Sequence, residues 1–379
     1  MLLVIGLILV IGLIVIHELG HFIVARRNGV EVEEFGIFFP PAIYQRTTKA
    51  GWVFSINVIP LGGFVKLKGE HDSDTEKGTL GAASLMVKTK ILLAGVTMNL
   101  ICGIILFSVL AVVGMPQLIS NQFEVKSDAK LSNQKVIVND IQPGSPAAKA
   151  KLAYGDQITE FVAVNKKQAT VITNANDVHR IAEQYAGETV DVHYINAGKA
   201  KQTVVHFLPL HNKDGYQLGI ATLQINYYRS TWSAPIVAIG LSGQLIWATI
   251  IGIGHAFAGL GSLLAGFATH NTVARQNGQT AATQNLVGPV GIFAILQSSA
   301  DIGYQVVAFF IAYIAVILAF MNVLPIPIVD GGKLYIAYVT RFLKRPLSAK
   351  REDTINLASV VILLFLFVLI TIANVQRFY

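Results

Sequence analysis

Residues 1 to 25 form one apolar run that stops at Arg26-Arg27, and further runs of similar length follow it along the chain. Each is near the ~20 residues a helix needs to cross the ~30 Å hydrocarbon layer of a membrane. A backbone that enters lipid must satisfy its own N–H and C=O groups, so such runs must be helices. The later runs are 91 to 115, preceded by Lys88 and Lys90 and stopped by Pro116; 235 to 268, with no formal charge; 302 to 324, broken by Pro325 and Pro327; and 355 to 375. Of the 379 residues, 53% are hydrophobic and 13% charged, and that charge fraction is about half of a soluble domain's. The expectation is a multi-pass α-helical membrane protein in the bilayer, not a large soluble core.

Composition also closes off other classes. The formal charge of +7 is spread over loops that flank apolar runs, which fits the positive-inside pattern and not a nucleic-acid stripe. Cys102 is the one cysteine, so neither an intramolecular disulfide nor a cysteine metal cluster is expected. The N-terminus has no basic n-region and no small-residue cleavage site before the charged stretch that begins at His17, so residues 1 to 25 read as a retained span.

Between the first two runs, residues 26 to 90 carry nine Lys or Arg and read as a cytoplasmic loop. Inside it, GWVFSINVIPLGGFVKLKG (51 to 69) has β-type residues on both sides of Leu61-Gly62-Gly63. That pattern predicts a β-hairpin turning at the glycines, apolar enough to lie against the membrane. Residues 119 to 210 are polar, with short strand-like runs and one helical run near Ala175 to Gln184. They read as a small domain inserted between spans.

The first run contains His17-Glu18-Leu19-Gly20-His21, an HExxH motif. On a helix, positions i and i+4 share a face, so two imidazoles can hold one metal while the glutamate reaches a water beside it. An ionisable residue in a span costs about 2.5 to 3.5 kcal/mol on insertion scales, and a bound metal would offset that. Zinc needs a third protein ligand and an open position for water. Asp330, in NVLPIPIVDGGKL (322 to 334), is the one carboxylate at the end of an apolar run, where prolines break the helix. Irregular backbone at membrane depth is tolerated where it lines a polar cavity.

HELGH, NVLPIPIVDGG and the inserted QPGSPAAKAKLAYGDQI (142 to 158) resemble the site-2 protease family of intramembrane zinc metalloproteases over essentially the full length, most like its bacterial RseP-type members. The family's Asn-x-x-Pro-x-Pro-x-x-Asp-Gly segment is matched by Asn322, Pro325, Pro327, Asp330 and Gly331, with Val329 where leucine is usual. The resemblance implies Zn2+ held by His17, His21 and Asp330, with Glu18 as the catalytic glutamate. It implies that the hairpin, through Gly62, Gly63 and Phe64, engages substrate, together with Asn322 and with Asn99 of AGVTMN, where Val96 replaces a common proline. It also implies that SPAAKAKLAYGDQI belongs to a PDZ-like domain, which captures an extended peptide or holds back bulky ectodomains. There Lys151 takes the place of the usual glycine.

Asp330 must reach the depth of His17, so the first run and 302 to 324 should be parallel. The 26 to 90 and 341 to 351 loops then share the cytoplasmic side, and the PDZ-like domain is extracytoplasmic. Residues 235 to 268, within the segment 211 to 301, must then cross zero or two times. Two crossings need about 40 residues, so the segment is expected to be interfacial or re-entrant. This gives four transmembrane helices (1 to 25, 91 to 115, 302 to 330 and 355 to 375), a membrane-associated β-hairpin and an inserted α+β PDZ-like domain in the cytoplasmic (inner) membrane. The expected function is hydrolysis of peptide bonds in or near transmembrane segments of other proteins, such as anti-sigma factors or remnant signal peptides. The alternative is a catalytically silent membrane scaffold that binds partners through the PDZ-like domain.

Overall fold

In chain order the elements are α1 (Leu2–Arg27), β1 (Val32–Thr47), β2 (Val53–Leu67), α2 (Leu85–Val113), β3 (Met115–Pro116), β4 (Lys130–Ile141), α3 (Pro146–Lys149), β5 (Gln157–Ala163), β6 (Gln168–Val171), α4 (Ala175–Gln184), β7 (Thr189–Asn196), β8 (Lys199–His206), β9 (Ile220–Arg229), α5 (Ala234–Ala268), α6 (Pro289–Ile302), α7 (Tyr304–Val323), α8 (Asp330–Leu343) and α9 (Ala349–Phe378). The computed structural model describes all residues except 72, 165–167, 197, 212–214, 274, 279–287, 345–346 and 379, and it describes residues 61, 168, 264, 289, 369–370 and 372–378 by backbone only. Arg345 and parts of 211 to 301 therefore lie outside the described residues. The chain divides into two compact units. One is Met1–Gly6, Leu106–Leu241 and Phe293–Phe310; the other is Leu7–Ile105, Ser242–Ile292 and Ile311–Tyr379.

The second unit holds the helical frame. A Cβ on Gly20 of α1 would lie 2.7 Å from the carbonyl oxygen of Ala94 in α2, so the glycine of HELGH lets the two helices touch backbone to backbone. His21 meets Ile91 and His17 meets Asn99, so the helices are antiparallel. A Cβ on Gly103 of α2 would meet Val316 and Ala312 of α7. Beyond the end of α7 the chain brings Asp330 back to His17, so α7 runs parallel to α1.

Among the described residues, four helices are long and apolar enough to cross a membrane: α1, α2, α5 and α7. The expected four included 355 to 375 and left out 235 to 268. Residues 355 to 375 lie in the 30-residue α9. The reading of 235 to 268 as re-entrant is overturned, because α5 is one uninterrupted helix of 35 residues, about 52 Å long. Its proline, Pro235, sits in the first turn, where a missing N–H leaves no intrahelical bond unmade. No later residue forces the chain to reverse, and a helix that lies along the interface needs no reversal.

The hairpin expected over 51 to 69 is also corrected. Residues 53 to 56 and 63 to 67 do not pair with each other. They pair with the same segment of β1: Glu34–Ile37 lies beside Val53–Ile56, and Val32–Ile37 beside Gly63–Leu67. The second half of β1 folds back, Ala42–Thr47 pairing with Val53–Asn57. The apolar run EFGIFF (34 to 39) thus supplies a middle strand, which the reading of the glycines as a tight turn overlooked. Residues 63 to 67 are left at an edge of this small sheet.

In the first unit, strands in the order β3-β9-β4-β5-β7-β8, with β6 paired to β5, form a seven-stranded sheet. Val136, Ile158, Phe161, Ile181, Tyr185, Val192 and Phe207 fill its core. Asn174 and Asp177 close α4 with a reciprocal capping box. The sheet takes in β9 and so extends past the expected boundary at residue 210.

Candidate metal centre and its cavity

Three side chains from two helices converge at the end of α7. His17 Nε2 and His21 Nε2 lie 3.1 Å apart, and Asp330 Oδ2 is 3.0 Å from the first and 3.1 Å from the second. Both histidine side chains are 9% exposed. The two histidines meet because they are one helical turn apart. Asp330 meets them because Val329, extended at φ −95°, ψ 166°, turns the chain into α8 with Asp330 as its first helical residue. A Cβ on Gly331 would collide with the carbonyl of Val323, and one on Gly332 with the carbonyl of Ile326. These glycines give room for α8 to start hard against the broken helix.

The proton inventory shows what this triangle can hold. The Nδ1–H of His21 donates to the carbonyl of Ile91 at 2.8 Å, so its Nε2 presents a bare lone pair. Asn99 is 1% exposed; its amide lies 3.4 Å from Nδ1 of His17, and its Oδ1 is buried without a partner. Amide orientation is assigned from the surrounding hydrogen bonds. Turned over, Asn99 Oδ1 accepts Nδ1–H from His17, which satisfies the orphaned oxygen and leaves His17 Nε2 bare as well. Two lone pairs and a carboxylate then face one another at about 3 Å with no proton between them. A cation is what such a donor set fits. Ligand atoms around tetrahedral zinc stand about 3.3 Å apart, given bonds of ~2.0–2.1 Å, close to the separations seen here.

The centre opens on a cavity of about 250 Å³ lined by His17, Glu18, His21, Phe64, Asn322 and Lys333, among others. Of the candidates from sequence, Phe64 and Asn322 thus reach the cavity. Gly63 borders it, since a Cβ there would stand 3.4 Å from Cγ of Glu18. Gly62 faces away, against the ring of Phe39. Asn322 donates its Nδ2–H to Leu318 at 2.9 Å, which leaves Oδ1 as the atom able to take a substrate N–H. Asn99 faces His17 and does not line the cavity, so its expected substrate contact becomes a contact to an imidazole.

Sequence reasoning missed three contributors. A Cβ on Gly95 would sit 2.5 Å from His21 Nε2 and 2.7 Å from His17 Nε2. The signal was present: Gly95 precedes Asn99 by one helical turn and shares its face. Lys333 and Glu70 form an ion pair of 2.9 Å at the cavity wall, and nothing in the local pattern links residues so far apart.

Comparison with known proteins gives a consistent result. The model of Peptidase family M50 matches residues 5–366. A relative named “Putative zinc metalloprotease” from Clostridium perfringens is 27% identical over 366 residues, covering 96% of this chain and 95% of its own. One of the same name from Clostridium acetobutylicum is 28% identical, covering 96% and 94%. Another, from Rickettsia conorii, is 28% identical and covers 100% of both chains.

Proposed function

Since the chain belongs to peptidase family M50 and is a multi-pass membrane zinc metalloprotease, we propose that it cleaves peptide bonds within or near transmembrane segments of other membrane proteins. The observation that carries this reading is the bare-nitrogen triangle of His17, His21 and Asp330 at the broken end of an apolar helix, with Glu18 beside it. His17 and His21 through Nε2, and Asp330 through Oδ2, would hold zinc. Held there, zinc would supply Lewis-acid chemistry, lowering the pKa of water to about 7 and polarising a carbonyl.

The remaining steps belong to the chain's own groups. Glu18 takes the proton of the attacking water and passes it to the nitrogen that leaves, completing hydrolysis of the C–N bond. A substrate helix hides its carbonyls in internal hydrogen bonds and has to be opened before attack. Gly63–Leu67 pairs with β1 on one side, and its other edge can add an unwound segment as a further strand. Gly63 beside Glu18 and Phe64 in the cavity support that placement. Asn322 Oδ1 then accepts an N–H from the extended segment.

The β domain of the first unit is assigned the role of a PDZ-like module outside the cytoplasm. Ser145 caps α3 through Ala148 N–H. Asp156 accepts from Ala153 N–H at 2.8 Å and from Asn196 at 2.6 Å. These contacts give the SPA and GD residues structural roles within the domain. The basic loops 26 to 90 and 341 to 351 are placed on the cytoplasmic face of the inner membrane.

The test is incubation of the purified full-length protein with a single-span model substrate, beside Glu18→Gln, with zinc measured in both. Cleavage by the wild type, loss of it in Glu18→Gln and about one zinc per chain in each are expected. Full activity in Glu18→Gln would sink the mechanism; a metal-free wild type without cleavage would favour the silent scaffold.

A further inference from the structure

Lys333 follows Asp330 by three positions, so both project from one face of α8 toward the same cavity. It is the sole cation among the described residues that line this cavity. Its ammonium is held 2.9 Å from Glu70 Oε2, while Glu70 Oε1 accepts Leu67 N–H at 3.1 Å at the end of β2. One carboxylate therefore ties the cation to the strand edge that the preceding reading assigns to substrate. Lys333 also shares the wall of this cavity with Glu18 and Asp330.

Hydrolysis places a donor requirement on this cavity. As the oxygen of water bonds to the carbonyl carbon, negative charge builds on the carbonyl oxygen. That charge is released when the C–N bond breaks and the nitrogen leaves with an added proton. Donors aimed at this oxygen are worth a large share of the rate in a water-poor site. The polar hydrogens available on the lining side chains are few. The His17 and His21 Nε2 atoms carry none in the metal-holding state, and Asn322 spends an Nδ2–H on Leu318. An ammonium has three donors, and Glu70 accounts for one.

We propose that Lys333 is a catalytic residue that donates a hydrogen bond to the scissile carbonyl oxygen as charge develops there, with Glu70 as the positioning residue that aims it. This rests on the metalloprotease reading. It adds a residue for which the metal triangle and Glu18 have no need, and it makes the strand edge and the reacting carbonyl parts of one constellation.

The test uses the full-length protein in detergent micelles with a fluorogenic single-span substrate. Lys333→Met, Lys333→Arg and Glu70→Gln are compared for kcat, KM and zinc content. Binding of the labelled substrate to zinc-free protein is followed by anisotropy. Lys333→Met should lower kcat about 100- to 1,000-fold, with zinc content intact and zinc-free affinity within about twofold of wild type. Lys333→Arg should recover at least about tenfold of that loss, and Glu70→Gln should fall between wild type and Lys333→Met. A kcat in Lys333→Met within threefold of wild type overturns the proposal. So does zinc lost in step with activity, which would make Lys333 a support for α8. An active Glu18→Gln enzyme would overturn the protease mechanism instead, so the two failures are distinct.

Discussion

The amide of Asn99 stands 3.4 Å from Nδ1 of His17, across the interface of α2 and α1, with both side chains buried. A carbonyl oxygen at that point fixes the proton of His17 on Nδ1 and leaves Nε2 free for a metal. Partners of this kind set the tautomer and orientation of a ligating imidazole, and their loss costs about 10- to 100-fold in metal affinity. Asn99→Ala should show that loss in a zinc competition assay. Asn99→Asp, which keeps an oxygen acceptor, should retain affinity within a few fold of wild type. Equal affinity in Asn99→Ala and wild type would remove the contact from the account.

Gly95 gives the centre its room. A methyl group there would stand 2.5 Å from His21 Nε2 and 2.7 Å from His17 Nε2, and the backbone of α2 cannot yield without parting from α1 at Gly20. Gly95→Ala should therefore abolish zinc binding and activity together. Gly12→Ala, where nothing lies within 4 Å of the added carbon, should change neither. Zinc retained by Gly95→Ala would show that the imidazoles have freedom the packing denies them.

Gly63 borders the same cavity on the strand side. Its added Cβ would meet the carbonyl of Gly36 at 3.2 Å and Glu18 Cγ at 3.4 Å. Gly63→Ala should leave zinc content unchanged and lower kcat/KM by at least about tenfold, because a small misplacement at a reacting centre has large effects. Wild-type kinetics would remove the strand from the substrate path.

The chemistry was legible because each of its parts breaks a local rule. Two imidazoles and a carboxylate in an apolar helix, and a proline-broken helix ending in Asp330, stand out against what lipid demands. The parallel course of α1 and α7 followed from requiring Asp330 to reach His17. What depended on long-range pairing did not show. Residues 34 to 39 carry no period that reveals a strand flanked on both sides, and Glu70 and Lys333 are joined only by the fold. The unbroken course of residues 235 to 268 was present in the local sequence, an apolar run with its proline in the first turn, and counting crossings obscured it by admitting a re-entrant form.

Asp128 ties the loop after β3 to the entry of α5. It accepts from the N–H and hydroxyl of Thr231 at 2.7 and 2.6 Å, and from those of Ser233 at 3.1 and 2.7 Å. These bonds, led by the Thr231 hydroxyl, hold its carboxyl well below the usual carboxylate range against the opposing effect of burial. A carboxyl whose pKa is depressed on folding contributes stability that is present above the unfolded value, near 3.8, and is lost as pH falls toward the folded one. Asp128→Asn should therefore lower the thermal midpoint at pH 7, and the gap to wild type should narrow below about pH 4. A gap independent of pH would mean that the contacts act without the charge.

Lys151 sits at φ +58°, in the left-handed region, at the position where the resemblance leads one to expect glycine. An L-residue pays about 1–2 kcal/mol for that conformation, because its Cβ crowds the neighbouring carbonyl. Glycine removes the crowding but has more freedom to lose from the unfolded chain, an opposing effect of about 0.5–1 kcal/mol. The difference favours Lys151→Gly by up to about 1.5 kcal/mol. The turn must stay in place in either case, because Leu152 N–H bonds to the carbonyl of Ala147 at 3.1 Å and Ala147 is fully buried. Lys151→Gly should therefore raise the midpoint of the β domain's unfolding while leaving zinc content and cleavage of a model substrate unchanged. Lys151→Val, whose branched side chain tolerates that region least, should lower it. The opposite order would mean that the lysine side chain makes a stabilising contact that outweighs its backbone strain.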